Sequence, residues 1–337
     1  MRSQEALPDS EPESDRSPDA SRYAVGIVHY RSYADLGRCL ESVSAQDLKA
    51  ATIGVIDVAG EEAKAQPLRD RYPAVDWQIV PNRGFAWAAN RVLARIDERC
   101  SDARFALILN ADIELEPQFC GELIREMRAH PEAALGGGKL LRTDGETLDS
   151  AGIALPRHRR PRDRGSEEKD SGQYDKVEYV FGVSGAAMLL RRAALDGLCI
   201  DDEIFDEDFF LYHEDTDLAW RAQNLGMRVL YVPSARALHA RGWKQSERFE
   251  ISSDVRRHSF KNHYLQMLKN ERPWDFAVNL PILLVWEILR LGFALLRDRA
   301  VLGGYRDALR LAGHAWEKRQ KLKSRIKDGR TRPGHSL

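Results

Sequence analysis

The sequence predicts an open α/β fold, a mostly parallel sheet with helices on both faces, followed by a helical extension at the C-terminus. Three observations predict it. Between Ala24 and Ala129, apolar runs of strand length alternate with stretches of helical character. Those runs, AVGIVHY, TIGVIDV and FALILN, are almost continuously apolar, as strands covered on both faces must be. Beyond Phe276 the alternation gives way to one long apolar stretch and then to a basic one.

The elements follow in order. A strand at 24–30 leads into a helix through Leu36 to Gln46, and a strand at 52–58 into a helix near Ala63 to Arg71. A strand at 77–81 precedes a helix from about Phe85 to Ile96, with Gly84 making the tight turn between them. The strand at 105–110 closes this set, and a helix from Gln118 to Ala129 starts after Pro117. Sheets of this kind bind ligands at the carboxyl ends of their strands. Residues 156–176, PRHRRPRDRGSEEKDSGQYDK, read as a mobile surface loop, either a lid on the acceptor side or a tolerated insertion. Strand and helix character returns at 177–192 and again in the amphipathic stretch that carries Leu218, Trp220 and Leu225 and ends at Gly226.

Composition excludes several classes. The chain has 337 residues, 43% of them apolar and 31% charged, enough for a substantial core. Its 51 Lys and Arg nearly balance 52 Asp and Glu, so no global field recruits nucleic acid, and none is expected as a partner. A mean hydropathy of -0.48 argues against a polytopic membrane protein. The four cysteines form no CxxC pair, so neither a zinc knuckle nor a disulfide framework is expected and the cytoplasm is the expected compartment. Residues 1–21, rich in Ser, Pro, Asp and Glu and without an apolar core, read as a disordered tail and not as a secretory signal.

Four places carry chemistry. Asn110-Ala111-Asp112 ends a buried strand, where a carboxylate can take a divalent cation bridging a diphosphate or can simply cap the next helix. Asp57 ends its strand in the same way and could accept hydrogen bonds from a nucleotide or serve a turn. In Asn82-x-Gly84 to Asn90 the helix start can face an anion, although two Asn at this spacing also suit caps. The stretch 200–217 carries nine carboxylates, which need a cation, protons or open solvent. One helix cap needs one carboxylate, whereas Glu214, Asp215 and Asp217 come together there. His239 could add an imidazole to a cation site or be an ordinary buried histidine.

In order, these residues resemble a known family. Asp57, Asn82-x-Gly84-Phe85-Ala86, Asn90, Asn110-Ala111-Asp112, Gly185-Ala186-x-Met188, Phe205-Asp206-Glu207, Glu214-Asp215-x-Asp217, Arg221, Pro233 and His239-x-x-Gly242 look like the family 2 glycosyltransferases, nearest to the rhamnosyltransferase-like branch that builds bacterial surface polysaccharide. The resemblance implies a GT-A fold, Rossmann-like with a mixed, mostly parallel sheet, and an inverting transfer. The donor would be a nucleotide-diphosphate sugar and the cofactor a divalent cation, Mg or Mn. Asp215 of the Glu214-Asp215 pair would be the base. Asp57, Asn82, Gly84, Asn90, Asn110 and Asp112 would serve the donor, with Asp112 and His239 on the metal. Asn110 stands where a strict motif has a carboxylate, and His29, Arg31, Val58 and Arg91 also depart from the family pattern.

The expected organisation is a tail at 1–21, a transferase domain at 22–245 and a C-terminal helical, membrane-associating segment at 246–330. Within 276–296 the longest charge-free stretch is about 11 residues, short of the ~20 that a spanning helix needs. With Trp286 and the basic run Lys318 to Arg332, it reads either as a helix lying on an anionic inner leaflet or as a core helix with a solvated terminus. The function expected is transfer of a sugar, rhamnose or another hexose, to a lipid-linked or polysaccharide acceptor by an enzyme peripheral at the inner face of the cytoplasmic membrane. A noncatalytic glycan- or nucleotide-binding protein on the same fold is the alternative.

Overall fold

The computed structural model describes residues 21–241 and 250–327. The tail expected at 1–21 lies outside them but for Ser21, as do Gly242 and the basic residues beyond Lys327. The first half runs β1 (Tyr23–Tyr30), α1 (Tyr33–Ser44), β2 (Thr52–Val58), α2 (Glu62–Arg71), β3 (Asp76–Val80), α3 (Phe85–Arg99), β4 (Phe105–Asn110), β5 (Ile113–Leu115) and α4 (Phe119–Ala129). Next come β6 (Ala133–Leu141), β7 (Leu148–Ser150), β8 (Ile153–Ala154), β9 (Arg162–Asp163), β10 (Glu178–Tyr179), β11 (Ala187–Arg191), α5 (Arg192–Leu198), α6 (Glu214–Asn224) and β12 (Arg228–His239). Three helices close the chain: α7 (Ser253–Asn270), α8 (Pro273–Arg297) and α9 (Gly303–Lys327).

The sheet has the order β10-β12-β6-β11-β4-β1-β2-β3. β1 to β4 pair in parallel, and β11 runs antiparallel between β4 and β6. The sheet is therefore mixed and mostly parallel, as expected. Seven of the eight residues of β1 are buried, because α1 covers one face and α3 the other. Gly26 permits that packing, since a Cβ there would lie 2.7 Å from Val92 on α3. The register sets His29 beside Asp57 and brings Asn110, at the end of β4, to the same edge as Val28.

The C-terminal helices are joined to this sheet domain by buried charge. Lys269 on α7 holds Asp206 at 2.5 Å and Asp217 at 2.7 Å. Lys318 on α9 reaches Asp206 at 2.7 Å and Glu203 at 2.9 Å. Both lysines are 1% exposed, and Asp217 also accepts from Asn270 and pairs with Arg221. The cation demanded by the acidic stretch is thus supplied by the protein for Glu203, Asp206, Asp208 and Asp217.

The described part of the basic run, through Lys327, turns four of its cations toward partners within the protein. Lys318 is buried, Arg319 donates to the Leu268 and Glu271 carbonyls, Lys321 pairs with Asp201, and Arg325 donates to the Gly197 and Cys199 carbonyls. The polar stretch 156–176 is also anchored. Arg159 forks onto Glu271 at 2.6 and 2.7 Å, and Lys139 holds Asp170 at 2.9 Å.

α8 differs from expectation in length. The helix continues through its charges for 25 residues and is the one described helix long and apolar enough to cross a membrane by length and composition. Its two mid-helix charges turn inward, however: Tyr264 donates to both oxygens of Glu287, and Arg290 lies 3.9 Å from the centre of the Phe260 ring. The outer face leaves Trp274 77%, Ile288 70% and Leu296 82% exposed.

Breaking a buried ion pair from one side strands the other charge, at a cost of about 3–5 kcal/mol. Lys318→Met is expected to lower stability by about 3 kcal/mol in urea unfolding, because Asp206 loses one of its two cations. A loss below about 1 kcal/mol would show the network to be dispensable.

Candidate active site

A cavity of about 750 Å³ opens where β4 and β12 end and α6 begins. Asn110 and Asp112 line it from the β4 end, His239 from β12, and Glu214 and Asp215 from the first turn of α6. Of the sequence-predicted residues, the fold brings these five into one space. Asp57, Asn82, Gly84 and Asn90 do not line it.

On the strand side, His239 Nε2 lies 3.4 Å from Asp112 Oδ2, and its Nδ1 lies 2.7 Å from Asp149 Oδ2. Asp149 is fully buried and is flanked by Arg142 at 2.9 Å and Arg241 at 3.4 Å. Burial opposes charge on the imidazole, but the two carboxylates outweigh it and raise its pKa to about 9. Burial alone would raise Asp112, yet the hydrogen bond and charge of His239 hold it below the usual carboxylate range. Among the described residues no three His, Cys, Asp or Glu side chains form a metal cluster. Asp112 and His239 come as a pair, and the neighbouring Asn110 Oδ1 is buried without a hydrogen-bond partner. This donor set of a carboxylate, an imidazole oriented by Asp149 and an orphan amide oxygen is one that a divalent cation accepts.

On the helix side, Asp215 Oδ2 accepts from the Gly185 N–H at 3.0 Å, and Oδ1 accepts from the Thr216 N–H at 2.6 Å. Burial raises its pKa against the pull of these donors. Glu214 is 6% exposed and its Oε2 has no partner; burial, then the charge of Asp215, pushes its pKa up to about 8. Both carboxyls of the pair are raised, Glu214 to about 8. Phe210, Tyr212 and His213, just before the pair, all take positive φ of 65–70°, a strained entry into the helix.

The donor-side residues are placed differently from the sequence reading. Asp57 is fully buried, and its oxygens accept from His29 Nδ1 at 2.7 Å and the Tyr33 hydroxyl at 2.8 Å. The departure at His29 explains this, because the register sets the imidazole beside the carboxylate. The start of α3 is not open to an anion either: the Phe210 carbonyl accepts from the Phe85 N–H at 2.6 Å. Gly84, at φ 93°, is required there, since a Cβ would lie 2.5 Å from that carbonyl oxygen. Asn82 Oδ1 accepts from the Gly84 N–H at 3.1 Å. Asn90 accepts from the Ile204 and Phe205 N–H groups and donates to the Phe205 carbonyl, a clamp on the acidic loop.

Sequence reasoning missed Arg160, Arg241, His263 and Arg290, which also line the cavity. Arg241 falls at an unspecified position of His239-x-x-Gly242; the other three lie far apart in the chain, and packing of α7 and α8 beside the anchored 156–176 stretch brings them together.

The Glu214 environment has a measurable consequence. A carboxyl raised from 4.5 to about 8 keeps its proton in the native state while the unfolded chain has lost it, so native stability falls with rising pH across that window. The slope is about 1.4 kcal/mol per pH unit. Glu214→Gln removes it, and the stability of the variant relative to the parent is expected to grow steadily between pH 5 and 7.5 in urea titrations at several pH values. A pH-independent difference would contradict the neutral Glu214.

The chain is similar to N-acetylglucosaminyl-diphospho-decaprenol L-rhamnosyltransferases from two strains of Mycobacterium tuberculosis, each 28% identical over 236 residues, covering 64% of this chain and 75% of theirs. Among solved structures, GalNAc-T7 with UDP, GalNAc and Mn2+ aligns with a TM-score of 0.55 at 14% identity over 74% of this chain. The chain spans about half (48%) of that protein's length, and the likeness shows a shared fold. The family model described as glycosyltransferase like family 2 matches residues 19–262, so this chain belongs to the family 2 glycosyltransferases, with a GT-A-like mixed sheet and a C-terminal helical extension.

Proposed function

We propose that this glycosyltransferase moves a sugar, rhamnose being the first candidate, from a nucleotide-diphosphate donor to a lipid-linked acceptor with inversion. The observation that carries it is a single cavity lined by the Asp215 carboxylate, the Asp112–His239 pair and apolar residues of α8. The relatives' names, which specify a decaprenol-linked acceptor and rhamnose, support the sugar and the lipid.

Asp215 is the base. Its two N–H donors fix the carboxylate, and burial raises its pKa, which makes it a better proton acceptor than an exposed Asp. As the acceptor hydroxyl loses its proton to Asp215, its oxygen bonds to the anomeric carbon and the bond from that carbon to the diphosphate oxygen breaks on the opposite face. A divalent cation held by Asp112 and His239, with Asn110 beside them, would supply charge neutralisation for the departing diphosphate. That GalNAc-T7, which shares the fold, was crystallised with UDP and Mn2+ supports that choice of cofactor and leaving-group class. His239 must give up its proton to serve, and Asp149 on its other nitrogen keeps Nε2 aimed at Asp112.

We read 22–245 as the transferase domain and 246–330 as the segment that seats it on the inner leaflet. α8 supplies the apolar face, and its inward Glu287 and Arg290 favour a helix lying along the membrane over one crossing it.

A melting-temperature panel with UDP, TDP, GDP, ADP and CMP, each with and without manganese, tests the donor site. One nucleotide is expected to raise the melting point only with the metal, and Asp112→Ala to abolish the rise. Asp215→Asn is expected to cut turnover by about 10²–10⁴-fold while that nucleotide shift remains. Unimpaired turnover would remove Asp215 from the role, and absence of turnover with every donor would favour a noncatalytic binding protein. For the membrane, the triple change Leu284→Lys, Ile288→Lys and Leu296→Lys on exposed positions of α8 should move the folded protein from the membrane fraction to the soluble one. Unchanged partitioning would refute the seating.

A further inference from the structure

The cavity holds a group of residues that donor chemistry leaves unused. Besides Asp112, Glu214 and Asp215 it is lined by Arg160, His213, His263 and Arg290, which act on one another electrostatically, and by apolar residues of α8. Arg290 makes no ion pair among the described residues: its guanidinium lies over the Phe260 and Tyr264 rings at 3.9 and 4.8 Å, and Nη2 donates to the Phe260 carbonyl at 3.3 Å. Its Nη1 is buried with no hydrogen-bond partner, and so is Nδ1 of His263, a residue 7% exposed. A buried donor left without an acceptor costs about 1–3 kcal/mol, and more when it carries charge. Arg290 Nη1 is such a donor, and with the unpartnered His263 nitrogen lining the same space it calls for a ligand from outside the chain that accepts from the guanidinium.

The electrostatics agree. Burial lowers the Arg290 pKa, and the charge of Arg160 lowers it further; burial and then Arg290 hold His263 well below its ordinary value and His213 at about 4. These groups repel one another's charge, a tension that a bound anion relieves.

We propose that Arg160, His213, His263 and Arg290 form the subsite for the diphosphate of an isoprenoid-linked acceptor. The hydrocarbon leaves the cavity along Trp286, Leu289 and Phe293 toward the exposed face of α8. This rests on the lipid-linked acceptor proposed above and names where its anionic group sits. His213 precedes the base by two residues, so the subsite adjoins the carboxylate in the same cavity. The same helix then carries the anion ligand Arg290 one turn beyond Trp286, so that α8 serves membrane and substrate together.

The test is binding to the full chain of farnesyl diphosphate, inorganic pyrophosphate and farnesol, beside the nucleotide identified with manganese. Farnesyl diphosphate is expected to bind more tightly than either of its parts, and Arg290→Gln to weaken it about tenfold or more while nucleotide binding holds. His263→Phe keeps a ring of similar size and removes the nitrogen, so it is expected to weaken farnesyl diphosphate too, and it stands in if Arg290→Gln fails to fold. Three results would overturn the subsite: unchanged farnesyl diphosphate binding in both variants, equal affinity for pyrophosphate (a free-anion site), or parallel loss of nucleotide binding (a donor site). Turnover of a lipid-linked acceptor by the parent protein, with its KM unmoved in Arg290→Gln, overturns the subsite and leaves the transferase reading standing. Binding of farnesyl diphosphate that depends on Arg290, in a protein that never turns over, keeps the subsite and removes the transferase reading.

Discussion

Everything at the catalytic end of this molecule depends on two lysines that neutralise the acidic loop from behind. Asp206 and Asp217 are buried, and without Lys269 and Lys318 the chain from Glu203 to Asp217 would repel itself open. With those charges paired, the loop is free to turn through the strained residues Phe210, Tyr212 and His213 and to present Glu214 and Asp215 to the cavity. The loop is held from the sheet side as well, by Asn90 at its start and by Phe85 and Gly84 under Phe210. The strain at the helix entry is therefore borne by a clamp on each side.

This arrangement divides one acidic stretch into two kinds of carboxylate. Those facing the C-terminal helices hold opposite charges and are structural. The two facing the cavity have no cation within salt-bridge distance among the described residues, and their pKa values rise. The metal-side pair shows the reverse pattern, with Asp112 kept low by His239. The two walls of one cavity thus hold a carboxylate made more basic and a carboxylate made more anionic, which suits proton acceptance on one side and cation binding on the other.

Legibility from sequence followed the range of the interactions. β1, β2 and β4 were readable almost to the residue, because a strand buried on both faces must be apolar throughout. α1 begins at Tyr33, earlier than its apolar period indicates, because Ser32 caps it. Asn110, Asp112, Glu214, Asp215 and His239 were legible as candidates because each follows or begins a regular element at the ligand edge. The fate of Asp57 depended on which side chain lies across from it in a parallel register, and the neutralisation of Asp206 on a lysine 112 residues away. Neither carries a local pattern. The same holds for the basic run in α9: charge density alone does not distinguish lysines that face a leaflet from lysines that face a buried carboxylate.

The C-terminal helices are consequently part of the site and not an appendage to it. α9 supplies Lys318, α7 supplies Lys269 and His263, and α8 supplies the apolar wall and Arg290. A sheet domain cut after β12 would keep Asp112 and His239 but would lose the cations that let the acidic loop close. The same three helices expose the apolar face of α8. Displacing α8 at a membrane would move the wall of the cavity, and through α7 it would load the Lys269 contacts that set α6. The proposed seating on the leaflet and the closure of the acidic loop would in this way be two ends of one packed unit, joined by contact through α7.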